Sequence, residues 1–155
     1  MEFTKLIEAF AKKHGLEAMT IQDGVSALEI DDINVALILN SEEDALTIYG
    51  EIGYPTPDAS GHFCELMLRA NHLLVRTGGA ILCQNPESGA YALFRTFPLD
   101  SMTEETLDDE LGKLVDQVVD WQRLLEGFDA AEEEAQANRE EEKTITHSPE
   151  GFIQV

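Results

Sequence analysis

One helical stripe constrains this chain more than any other feature. Apolar residues at Leu107, Leu111, Leu114, Val118, Trp121, Leu125 and Phe128 alternate steps of four and three, which stacks them on a single helical face. Val115, Val119 and Leu124 widen that face. Such a helix is unstable alone in water and must lay its stripe on other elements. The segment just before it supplies candidates: two short runs that read as strands, joined by a loop containing Pro86 and Gly89, with a break at Pro98. Ser101 with Glu104 fits a capping box at the helix start, and Thr103 is a competing cap.

The N-terminal half supplies the remaining elements. Residues 2–14 place Phe3, Leu6, Ile7, Phe10 and Ala11 on one face of a helix that Gly15 is positioned to end. Asp23-Gly24 reads as a turn, Val25–Ile30 as a strand and Asp31-Asp32 as a tight connection to a second strand at Ile33–Leu39. After the polar turn Asn40–Asp44 a third strand runs to about Ile52, completing an antiparallel meander. Pro55 and Pro57 then break the sheet. Asp58 or Ser60 can cap a second helix with Phe63, Leu66, Met67, Ala70, Leu73 and Leu74 on its apolar face, ending at Gly78-Gly79. The expected fold is therefore α+β, in the order α-β-β-β-α-β-β-α. Residues 1–128 form the expected domain. Residues 129–155 form an acidic tail, expected to be mobile or marginally helical, with Phe152, Ile153 and Val155 as a candidate docking element.

Charge excludes several functions. The chain carries 31 acids against 10 bases, a formal −21, and 23 of the acids with 8 of the bases fall in residues 1–127. That field repels phosphate backbones and anionic lipid, so nucleic-acid binding and membrane-surface binding are not expected. No apolar run approaches the ~20 residues of a membrane span, and Glu8, Lys12 and Lys13 interrupt the N-terminus where an export signal would be apolar. A cytoplasmic location follows as the expectation. Cys64 and Cys83 then read as reduced, partly buried thiols.

No catalytic or cofactor pattern emerges. His14, His62, His72 and His147 form no paired-ligand motif, and a helix would point His62, Cys64 and His72 in different directions. Gly78-Gly79 lacks a following Gly-Lys-Ser/Thr, so it reads as a helix stop rather than a phosphate cradle. The acidic pairs Glu42-Glu43, Glu104-Glu105 and Asp108-Asp109 sit in a turn and in the first turns of a helix, where solvent and the helix dipole both favour negative charge. No metal, cofactor or enzymatic activity is expected. The apolar face of residues 3–11 is different: sheet and helices need not cover it, and exposed apolar surface usually binds something.

The residues converge on a family. The segments L-I-E-A-F-A-K-K-H-G, I-Y-G-E-I-G-Y-P-T-P, L-M-L-R-A-N-H-L-L, G-G-A-I-L-C and A-L-F-R-T-F-P-L-D, followed by a helix opening T-E-E-T-L, occur in an order that resembles the class I chaperones of bacterial type III secretion, the CesT/Tir-chaperone family. The resemblance covers about residues 1–127. It implies a cytoplasmic homodimer without enzymatic activity that holds the N-terminal segment of one or more secreted effectors extended, and delivers it to the export apparatus and its ATPase. By the same resemblance the cargo-binding residues are Phe3, Leu6, Ile7, Phe10, Leu28, Ile30, Val35 and Leu37, and the dimer interface comprises Leu66, Ala70, Leu74, Leu82 and Leu93. The competing reading is an acidic dimeric adaptor for a folded protein partner.

Overall fold

A computed structural model describes residues 2–54 and 60–146. Helix α1 spans Phe3–Lys13, and strands β1 (Val25–Ile30), β2 (Ile33–Asn40) and β3 (Ala45–Gly53) follow. Helix α2 spans Ser60–Ala70, strands β4 and β5 span Ile81–Gln84 and Tyr91–Pro98, and helix α3 runs from Glu104 to Thr146. The five strands form one antiparallel sheet in the order β1-β2-β3-β5-β4. The α+β order read from the sequence is the order observed.

Turn chemistry fixes the sheet. Asp31 and Asp32 adopt φ of 50° and 64°, the left-handed pair that a two-residue hairpin between right-twisted strands requires. Asp23 and Gly24, at φ of 50° and 77°, make a similar reversal, closed by reciprocal 2.9 Å backbone bonds between Gln22 and Val25. Helix α1 ends as its sequence suggests: Gly15 takes φ 63°, and the amides of Gly15 and Leu16 donate back to the carbonyls of Lys12 and Ala11.

All three helices lie on one face of the sheet. The α3 stripe from Leu107 to Leu125 is buried there with Leu46, Ile48 and Ile52 of β3. Gly50 sets how closely α3 approaches β3, because a Cβ at that position would stand 2.8 Å from Val118 and 3.0 Å from Leu114. Phe63 of α2 stacks on Tyr91 at 5.3 Å and meets Trp121 and Phe128 edge-on. These contacts pin α2 beneath the middle of α3.

Two expectations are corrected locally. The α3 cap is Thr103, whose Oγ1 accepts from the Thr106 amide at 3.2 Å while the Thr106 hydroxyl accepts from the Thr103 amide at 3.2 Å. Ser101 instead donates to the Pro98 carbonyl at 2.7 Å. Helix α2 ends at Ala70 rather than Gly78-Gly79, because Leu73 and Leu74 turn left-handed at φ of 57° and 55°. Helix α3 continues beyond Phe128 to Thr146, and the last apolar residue described as buried on it is Leu125. Asp58, Phe152, Ile153 and Val155 lie outside the described residues.

Candidate functional site

The two edges of the sheet differ. On β4, the backbone of Leu82 faces outward, and Asn71 occupies it: the amide of Leu82 donates to Asn71 Oδ1 and Asn71 Nδ2 donates to the Leu82 carbonyl, both at 2.9 Å. That side chain plugs the edge as a strand would. On β1, Val25 points its backbone outward to Gln22. The two-residue alternation then turns the amides and carbonyls of Ala27 and Glu29 outward too. Neither residue makes a hydrogen bond outside the β1–β2 ladder among the described residues. The β1 edge is open.

Beside that edge lies a groove of about 810 Å³. Leu28 and Ile30 of β1 form one wall, Phe10 of α1 and Leu111 and Val115 of α3 form the floor, and Leu16 and Met19 of the α1–β1 connection close the end. Leu16 is 46% exposed, so the trough is open to solvent rather than sealed. A chain paired with β1 would turn every second side chain toward Leu28 and Ile30 and hence into the groove.

An ionic clasp holds the groove's shape. Asp108 accepts from Lys13 Nζ at 2.8 Å and from His14 Nε2 at 2.7 Å, which joins the end of α1 to the start of α3. The His14 ring rests against Phe10 with centroids 4.5 Å apart. The hydrogen bond from Lys13 holds the Asp108 carboxyl below the usual carboxylate range, with His14 adding to it. The same bond raises the Lys13 ammonium. A depressed carboxyl stabilises the fold fully above its unfolded value of 3.8 and loses that contribution as pH falls through the lower folded value. In pH-dependent melting, Asp108→Asn is therefore expected to melt below the parent at pH 6, with the difference closing as the pH falls below 3.8. A difference unchanged down to pH 2 would mean that the clasp is not what the mutation removes.

The cargo-binding residues named from sequence divide. Phe10, Leu28 and Ile30 line the groove. Phe3, Leu6, Ile7, Val35 and Leu37 are core residues, at most 3% exposed. The reason is geometric: α1 lies on the sheet with its whole apolar face inward, and the odd-numbered residues of β2 point at the helices. Sequence reasoning missed Leu16, Met19, Leu111 and Val115. Val115 was legible as part of the widened α3 face, whereas Leu16 and Met19 sit in a segment without periodicity.

The expected interface residues divide as well. Ala70, Leu82 and Leu93 are buried inside the subunit, while Leu66 and Leu74 are half-buried. The exposed apolar side chains of this region are instead Leu68, Leu73 and Val75, at 72%, 78% and 79% exposure. They surround a shallow depression with Glu65, Arg69 and Arg76.

Among the described residues no group of three or more His, Cys, Asp or Glu could hold a metal ion. Burial raises the Cys83 thiol. Burial, reinforced by the Cys64 sulfur 3.1 Å from its hydroxyl, also raises Tyr91. Both shifts are opposite to those of an activated nucleophile. No helix among the described residues is long and apolar enough to cross a membrane.

Comparison with known proteins agrees with this architecture. The model of the Tir chaperone protein (CesT) family matches residues 5–122. The Tir chaperone of Escherichia coli O157:H7 is 30% identical over 112 residues, covering 71% of this chain and 70% of its own. That of Citrobacter freundii is 32% identical over 114 residues, with the same coverage. Among solved structures, the HopA1–SchA chaperone–effector complex contains a chain that superposes with a TM-score of 0.67 at 18% identity, covering 78% of this chain and 93% of that one. At that identity the match establishes a shared fold.

Proposed function

The chain belongs to the Tir chaperone (CesT) family, and we propose that it captures a segment of a secreted effector in extended form along β1 and its groove. The observation that carries this reading is the pairing of an open strand edge, at Ala27 and Glu29, with an apolar trough beside it. Main-chain bonds to the edge supply affinity without regard to sequence, and the trough supplies selection for apolar side chains. Holding a chain extended costs it conformational entropy, so both kinds of contact are needed. A folded partner would use the strand edge only through an exposed edge strand of its own.

The same proposal includes a homodimer, action in the bacterial cytoplasm and delivery to the secretion ATPase. Leu68, Leu73 and Val75 support the dimer, because so much apolar surface grouped together is costly to leave in water. The backbone supports it too: two successive leucines in the left-handed region carry strain of roughly 1–2 kcal/mol each, and the Leu74 carbonyl is held by Gly79 and Thr77. Strain kept in place while presenting Leu73 outward is a feature of contact surfaces.

Limited proteolysis tests the central function. An effector whose secretion depends on this chain is mixed with it and digested. The expected result is one protected effector segment that circular dichroism shows to lack helix when bound. Equal digestion with and without the chain, or binding only to the folded effector domain, would refute capture of an extended segment.

A further inference from the structure

The groove is apolar in its floor and anionic around its rim. Glu17, Glu29, Asp31, Asp108 and Asp116 all border it, against His14 as its one basic lining residue. Asp108 is occupied by Lys13 and His14. The other four form no ion pair among the described residues, and all four are exposed. Glu29 lies on the face of β1 turned away from the helices, where a directly opposite residue on an added strand would stand about 5 Å from it.

We propose that this groove selects extended segments that carry lysine or arginine between their apolar anchors. The proposal rests on the chain-binding reading above and adds a charge specificity to it. Anchors alone would place an uncharged or acidic segment among four unneutralised carboxylates. A basic residue at the intervening positions stands beside Glu29 and, being long, keeps its charge in water, while the field of the other three carboxylates adds attraction without direct pairing. Each exposed attraction contributes roughly a factor of 1.8, so four together give about tenfold. The summed field also speeds encounter with a basic segment.

The test uses three fluorescent 15-residue peptides with isoleucines at alternate positions and lysine, glutamine or glutamate at four intervening ones. Binding to the full chain is measured by anisotropy at 50 and 500 mM salt. The lysine peptide is expected to bind about tenfold tighter than the glutamine peptide at low salt, the glutamate peptide to bind weakest, and the advantage to shrink at high salt. Neutralising the rim (Glu17→Gln, Glu29→Gln, Asp31→Asn, Asp116→Asn) is expected to erase that advantage. Neutralising four remote exposed acids (Glu8→Gln, Glu42→Gln, Glu43→Gln, Glu87→Gln) should preserve it. If the remote set weakens binding as much as the rim set, the effect belongs to net charge and the proposal is overturned. Equal affinity for all three peptides, each still weakened by Leu28→Gln, would also overturn it while leaving the groove reading intact. If no peptide binds, both fail.

Discussion

With Leu73 and Val75 both replaced by aspartate, the protein is expected to run in light scattering at the mass of one 17.2 kDa chain rather than near twice it. Both side chains are nearly four-fifths exposed in the subunit, so the change costs the isolated fold little. In a two-fold interface each substitution occurs twice. Four carboxylates stripped of water without partners cost about 2 kcal/mol apiece, or about 8 kcal/mol in all, which weakens association on the order of a millionfold. The melting profile of the monomer then reports whether the fold survives. A double variant that keeps the doubled mass would place the interface elsewhere, and a parent that is monomeric at all concentrations would remove it.

The second large effect concerns Leu28. Leu28→Asp is expected to weaken capture of an effector segment about 30- to 150-fold, corresponding to about 2–3 kcal/mol for setting an unpaired polar group against an apolar ligand. Leu28 forms part of the groove wall and is only half-buried, at the margin of the core. The subunit can accordingly turn the aspartate outward when nothing is bound. Secondary structure and dimer mass are expected to stay unchanged, so the loss belongs to the groove. Unchanged capture would move cargo binding to another surface.

These two surfaces were the parts least legible in the sequence, for a physical reason. The strands could be placed because their turns announce themselves: Asp31-Asp32 and Asp23-Gly24 tolerate the left-handed backbone that hairpins need, and period-two alternation runs between them. The α3 stripe was legible because it is long and regular. What alternation cannot reveal is which face receives the helices, and so Val35 and Leu37, named for the groove, belong to the core. Nor does anything in N-H-L-L announce that Leu73 and Leu74 abandon the helix, because leucine is a strong helix former and tertiary contacts override that preference here. That one departure turns Leu73 outward. Likewise, the plugging of the β4 edge by Asn71 depends on bonds between residues 11 positions apart, for which the chain carries no local signal.

Amide hydrogen exchange at Ala27 and Glu29, followed with and without a bound effector segment, tests strand capture most directly. In the free chain these outward-facing amides are expected to exchange rapidly, and binding should slow both by tenfold or more while the β4 edge at Leu82 stays as it was. A segment that binds tightly while both amides keep their free exchange rates would contradict it.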